Sequence, residues 1–205
     1  MKVAGLVLAL ASSAAAFAPV AQHASSTSLR ASLEDMEGST MPFQAWDPLE
    51  LASLGSDETL AWFRAAELKN GRVAMLATTG YIVQALGVHF PGMLSHDVSF
   101  DSLSAMKPLD AWNAVPDLGK QQIYGAIFLA EIISESQQPH YTKGGKLPEM
   151  IFPPLDFSNV DAATLKRKRS SELNNGRLAM IAIMSFVAAT NVPGSVPLLA
   201  GSPMF

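Results

Sequence analysis

The segment Glu67-Leu68-Lys69-Asn70-Gly71-Arg72-Val73-Ala74-Met75 recurs as Glu172-Leu173-Asn174-Asn175-Gly176-Arg177-Leu178-Ala179-Met180, at a constant offset of 105 and with seven of nine positions identical. Each copy supplies a carboxylate, an amide and a guanidinium, which can form ion pairs or give single oxygen ligands to a hard cation. Five residues separate Glu67 from Arg72 and Glu172 from Arg177. On an α-helix that is about 140° of rotation, so neither acid readily reaches the arginine of its own copy. A lone charge in apolar surroundings needs a partner on a neighbouring helix. A two-fold relation between the copies supplies it, pairing Glu67 with Arg177 and Glu172 with Arg72.

Asn70 and Asn175 follow their acids at the helical i+3 position, on the same face. An ion-paired carboxylate keeps a free lone pair and an amide oxygen is neutral, so each copy offers two axial ligands to Mg²⁺ but cannot build an octahedral cage. Spaced single donors suit a magnesium already held equatorially by a macrocycle, as in chlorophyll. The simpler alternative, a buried ion pair with a hydrogen-bonded asparagine, accounts for one copy better than for two matched copies. Gly71 and Gly176 let two helices, or a flat ligand, approach closely. Met75 and Met180 suit either core packing or a groove for an apolar polyene.

These residues need helices to position them. No Asp, Glu, Lys or Arg occurs from Val73 to Ser95 or from Leu178 to Phe205, and the shorter apolar run Ile123 to Ser134 holds one acid, Glu131. Helices are expected over about residues 58–88, 119–136 and 163–190, each a membrane crossing. Two copies are too few for a solenoid, so the expected fold is an all-α membrane protein of three transmembrane helices. The first and third are related by a pseudo-two-fold axis along the membrane normal and crossed through reciprocal Glu–Arg ion pairs.

Composition agrees with that class. Only 16% of the 205 residues are charged, against about 25% in soluble domains. With 14 basic residues against 18 acidic, a nucleic-acid partner is not expected. The absence of cysteine excludes disulfides, thiolate nucleophiles and iron–sulfur clusters.

The N-terminus reads as an address. Met1-Lys2, the apolar run Val3 to Leu10 and Ala14-Ala15-Ala16 form a signal peptide over residues 1–16. Residues 17–32 are rich in Ala and Ser, acid-free and carry Arg30, the composition of a transit segment. The Ala16-Phe17-Ala18-Pro19 junction resembles that used for import into complex plastids, with simple secretion as the alternative. The folded domain is expected over 33–205.

Between the first two helices, Gly92 to Gly119 is expected as a surface loop with one short amphipathic piece, and Pro139 to Asp161 as an extended loop. Lys166-Arg167-Lys168-Arg169, one turn before a membrane segment, fits lipid headgroups. His89, His96 and His140 lack metal-ligand spacing, and no nucleophile constellation or phosphate loop is present, so no enzyme and no small-molecule substrate are expected.

The repeated motif resembles the hallmark of the chlorophyll a/b and chlorophyll a/c light-harvesting proteins, E-x-x-N/H-G-R-x-A-M, in the first and third of three membrane helices. The resemblance covers roughly Trp46 to the C-terminus. Gly80-Tyr81-Ile82-Val83-Gln84 and His89-Phe90-Pro91-Gly92 are similar to the fucoxanthin or peridinin chlorophyll a/c branch. It implies that Glu67, Asn70, Glu172 and Asn175 bind chlorophyll magnesium, with Arg177 and Arg72 supporting the acids; many relatives have His at the position of Asn70. Gln84 matches a glutamine of that branch, whereas its counterpart in the third helix is Ala189.

In the middle helix, Gln122 and Glu131 match the family's Q-to-E spacing and face opposite sides about 13 Å apart, so they would serve different macrocycles. Gln122 as a helix cap and Glu131 as a protonated membrane acid are the alternatives. Carotenoids would lie along Met75 and Met180. Their end groups would sit near Trp46, Asp47, Pro48 and Leu49 and near Phe152, Pro154 and Leu155. The implied protein is a multi-pass thylakoid antenna holding chlorophyll a, chlorophyll c and a carotenoid of fucoxanthin or peridinin type, diadinoxanthin also being compatible. Its partners would be a photosystem I or II core, other antenna subunits and thylakoid lipids. A photoprotective, energy-dissipating member and a pigment-free membrane scaffold are the rivals.

Overall fold

The computed structural model describes residues 33–41, 44, 46–53, 55–147 and 160–202. Among the described residues, where 33–35 are also helical, five longer α-helices follow in chain order: α1 (Asp57–Ala85), α2 (Phe100–Ser104), α3 (Pro108–Ala114), α4 (Asp117–Glu135) and α5 (Ala162–Asn191). Short 3-10 turns occur at Leu51–Ser53, Tyr141–Lys143 and Pro197–Leu199. The signal and transit segments assigned to 1–32 and the implied groove residues Phe152, Pro154 and Leu155 lie outside the described residues.

Asp57 and Glu58 in the first turn of α1 favour the positive end of its dipole, and Asp161 caps α5 by accepting from the Ala163 N–H at 3.2 Å. Helix α1 ends at Ala85, short of the expected 88. There Gly87 takes φ +70° and donates its N–H to the Gln84 carbonyl at 3.0 Å, closing the last turn.

The core is the contact between α1 and α5. Leu68, Gly71 and Ala74 are buried from α1, and Leu173, Gly176 and Ala179 from α5, each 105 residues on. A β-carbon on Gly71 would stand 3.1 Å from the Gly176 Cα, so backbone meets backbone here. Three turns further, the rings of Tyr81 and Phe186, again 105 apart, face each other at 5.4 Å, and Tyr81 shares a hydrogen bond with Thr190. The helices therefore run in the same direction, cross at the glycines and spread beyond them.

One expectation needs correction. The segment from Gly92 holds two short helices, α2 and α3, rather than one, and Met93 and Ser99 form an antiparallel bridge ahead of α2. Among the described residues, no helix is long and apolar enough to cross a membrane. The long uncharged parts of α1 and α5 are Val73–Ala85 and Leu178–Asn191, each about 20 Å long, because Arg64, Glu67, Lys69 and Arg72 occupy the first half of α1 and Lys166 to Arg177 that of α5. The apolar runs that begin at Val73 and Leu178 continue past the helix ends at Ala85 and Asn191.

The outer faces are apolar. Leu76 is 76% exposed on α1 and Ile181 68% on α5; α4 buries no residue at all and presents Ile127, Phe128 and Leu129 outward.

Candidate functional site

The two copies of the repeat meet around the glycine crossing. Arg72 Nε donates to Glu172 Oε1 at 2.6 Å and Arg177 Nε to Glu67 Oε1 at 2.7 Å. Both bridges run between helices, as the 140° offset within each copy requires. Their symmetry is broken on one side. Arg64 Nη1 reaches Glu67 Oε2 at 2.7 Å, whereas its counterpart Arg169 turns away from Glu172 and pairs with Glu37 at 3.1 Å.

Glu37 belongs to an N-terminal strap laid along α5. The Gly38 N–H donates to Ser170 Oγ at 3.0 Å, Arg177 Nη1 donates to the Gly38 carbonyl at 2.8 Å, and Asn174 Nδ2 donates to Thr40 Oγ1 at 3.3 Å. Gly38 has φ +83°, and a β-carbon there would stand 3.0 Å from Leu173 Cδ1, so both backbone angle and space call for glycine.

Asn70 Nδ2 donates to the Ala66 carbonyl at 2.9 Å and Asn175 Nδ2 to the Ser171 carbonyl at 2.8 Å. Each amide nitrogen is thereby tied to its own helix, leaving the amide oxygen on an exposed face.

Glu131 has a partner that its own helix does not provide. Lys69 Nζ lies 2.6 Å from Glu131 Oε2 and 2.5 Å from Glu135 Oε1, tying α4 to α1. Glu135 also receives His140 Nε2 at 2.9 Å and the Tyr141 hydroxyl at 3.3 Å. Burial and this carboxylate raise the Tyr141 pKa, so the phenol stays a donor. Gln122 is exposed near the start of α4. Gln84 Nε2 donates to the Leu103 carbonyl at 2.8 Å, fastening α2 to the end of α1 with its amide nitrogen.

A cleft of about 750 Å³ opens between the strap and the crossed pair. Leu33, Met36, Trp46 and Phe63 give it an apolar wall, and Arg64, Glu67 and Arg177 a polar one. Asp47 lines it too, its carboxylate accepting from the Leu51 and Ala52 N–H groups at 3.0 and 2.9 Å. Pro48 and Leu49 are exposed outside that lining, and Met75 and Met180 are half-buried at matching positions.

Arg64, Lys69 and the strap were not singled out by sequence reasoning. The signal for Lys69 was available: position 69/174 is the one polar difference within the repeat. Each side of that difference serves a different neighbour, α4 for Lys69 and the strap for Asn174.

An internally duplicated helix pair, crossed at glycines and closed by reciprocal Glu–Arg bridges under apolar outer faces, defines this chain's class as an all-helical protein built on an internal repeat. The family model for chlorophyll A-B binding protein matches residues 32–191, and the chain belongs to that family. It is 33% identical over 195 residues to a fucoxanthin-chlorophyll a-c binding protein of Trieres chinensis, covering 93% of this chain and 95% of that one. A protein of the same description from Chattonella marina var. antiqua is 35% identical over 185 residues, 88% of this chain and 80% of its own. Fucoxanthin-chlorophyll a-c binding protein C of Phaeodactylum tricornutum is 33% identical over 187 residues, 89% and 92% of the two chains.

Proposed function

We propose that this protein is a plastid light-harvesting antenna of the thylakoid membrane that binds chlorophyll a, chlorophyll c and fucoxanthin and passes excitation to a photosystem through neighbouring antenna subunits. The observation that carries this reading is the pair of Glu–Arg bridges set beside outward amide oxygens on apolar helix surfaces. The relatives are described as chloroplastic fucoxanthin-chlorophyll a-c binding proteins, which supports the location and the pigment types.

A membrane setting is supported by the pairing of charges. Once Glu67 and Glu172 are neutralised across the crossing, the stretch from Glu67 to Ala85 measures about 27 Å and that from Glu172 to Asn191 about 28 Å, close to the ~30 Å hydrocarbon layer. Apolar faces that α1, α4 and α5 leave open would then meet lipid or pigment instead of water.

In this reading Glu67, Glu172, Asn70 and Asn175 would each give one oxygen to a chlorophyll magnesium, Arg177 and Arg72 would hold the acids in place through their ion pairs, and Gln84, Gln122 and Glu131 would add further ligands. Gln84 would use its carbonyl oxygen, its nitrogen being engaged by Leu103. Bound chlorophyll and carotenoid supply the light absorption and the excited state. The chain's own residues fix the spacing and orientation of the pigments and exclude water, and no bond is made or broken. An absorption and fluorescence-excitation spectrum of the protein purified in mild detergent tests this. Red and blue chlorophyll bands with carotenoid-sensitised emission are expected; a folded, colourless protein overturns the reading.

A further inference from the structure

Glu131 is an acid on an apolar helix that supplies no cation near it. Its neighbours on α4, Phe128, Leu129, Ile132 and Ile133, are all exposed. Lys120, the one basic residue of α4, precedes it by eleven positions, about 16 Å along the axis. The charge is met from α1 instead, where Lys69 Nζ lies 2.6 Å from Glu131 Oε2.

The same lysine also holds Glu135, yet the two acids differ in what they have left to offer. Glu135 is the last residue of α4 and both its oxygens are occupied, Oε1 by Lys69 and Oε2 by His140 and Tyr141. Glu131 spends only Oε2, so its Oε1 has no hydrogen bond among the described residues, and its side chain is 53% exposed.

The magnesium of a chlorophyll is already neutralised by its macrocycle, so an axial carboxylate adds a whole negative charge in apolar surroundings. Such a charge is tolerated where a cation stands beside it. Arg177 and Arg72 stand in that position to Glu67 and Glu172. We infer that Lys69 is a positioning residue for a chlorophyll on α4: it neutralises Glu131 across the helix interface and pins Oε2, leaving Oε1 as the axial ligand, while Glu135 takes no pigment. This rests on the pigment-binding reading above and adds to it a residue, a choice between two acids and the oxygen used.

The break in the repeat agrees. The counterpart of Lys69 is Asn174, whose amide donates to Thr40 of the strap. A cation stands in the copy that faces Glu131 and a neutral amide in the copy that faces the strap. The charge is thus placed for an acid on α4 and not for the crossing of α1 and α5.

The test is reconstitution of the full chain with chlorophylls a and c and fucoxanthin, counting chlorophyll per chain after extraction and recording the absorption difference from wild type. Glu131→Leu and Lys69→Met should each lose one chlorophyll, with the same difference band. The double variant Lys69→Met/Glu131→Gln should regain it, because a neutral amide oxygen ligates without a cation. Glu135→Gln should keep full content. Recovery in the double variant separates charge compensation from tethering, since it restores no link between α1 and α4.

Should Lys69→Met not fold, a folded and fully pigmented double variant supports the inference in the same way. A double variant that stays unfolded, or folds without that chlorophyll, overturns it and makes Lys69 a tether. Full chlorophyll content in Lys69→Met or in Glu131→Leu, or the loss of one chlorophyll from Glu135→Gln, overturns it while leaving the antenna reading intact. A folded wild-type chain that takes up no chlorophyll overturns both.

Discussion

Gly71 and Gly176 touch through their backbones, a β-carbon on Gly176 standing only 2.9 Å from the Gly71 Cα. No side chain can be inserted there without moving one helix, and both ion bridges lie within a turn or two of that contact. Gly176→Val should therefore push α1 and α5 apart, at a cost of about 1–3 kcal/mol from overpacking alone and more once the bridges lengthen. The check is thermal unfolding followed by circular dichroism, beside Gly80→Ala, where a β-carbon meets nothing within 4 Å and the melting temperature should hold or rise. Equal effects of the two substitutions would contradict the crossing as described.

Arg177 serves both the helix pair and the strap. Arg177→Leu removes the Glu67 bridge and the anchor on the Gly38 carbonyl together, although Glu67 keeps Arg64. A loss of about 2–4 kcal/mol is expected, with faster proteolytic cleavage between residues 33 and 56. Arg72→Leu should destabilise the pair without speeding that cleavage. Limited proteolysis with mass mapping separates the two; identical cleavage rates would show that the strap does not depend on Arg177.

Lys69→Met leaves Glu131 and Glu135 without the cation that ties them to α1. Glu131 is half exposed, so in water the pair is worth at most about 1 kcal/mol, and the effect should be local rather than global. Hydrogen exchange over 117–135 should accelerate while the centres of α1 and α5 stay protected. Unchanged protection of α4 would mean that other contacts hold it.

Asn70→Leu and Asn175→Leu separate pigment binding from folding. The bonds to the Ala66 and Ser171 carbonyls tie each amide only to its own helix, and leucine is the better helix former by a few tenths of a kcal/mol. The pigment-free chain should fold with unchanged or slightly higher stability. Each reconstituted variant should lose one chlorophyll per chain, counted after pigment extraction. Full pigment content in both variants would remove the asparagines from the ligand set.

What could be read from the sequence followed from its repetition. A nine-residue repeat at offset 105, identical at seven positions, gave the helix pair, and the 140° between Glu67 and Arg72 forced their partners onto the other helix. The burial of Leu68, Gly71 and Ala74 beside Leu173, Gly176 and Ala179 follows the same offset.

Features made once were harder to see. Glu37 and Gly38 approach α5 across more than 130 residues of chain, and nothing local in Glu37-Gly38-Ser39-Thr40 announces that distance. Arg64 reads as an ordinary helix-surface cation until Glu67 and the strap close over it. Helix ends were misplaced where apolar residues continue past Gly87, because hydropathy does not register a left-handed turn.

The two bridges join residues 100 and 110 positions apart, one partner of each in α1 and the other in α5. The chain as far as Arg177 must therefore be present before the core contact can form, and the loop that closes it is long, which makes the step entropically slow. Until then α1 holds Arg72 without Glu172, and Glu67 has only the neighbouring Arg64. Assembly of this fold is consequently gated at its final segment: a chain stopped before Arg177 has every residue of one half of the crossing and nothing to close it with.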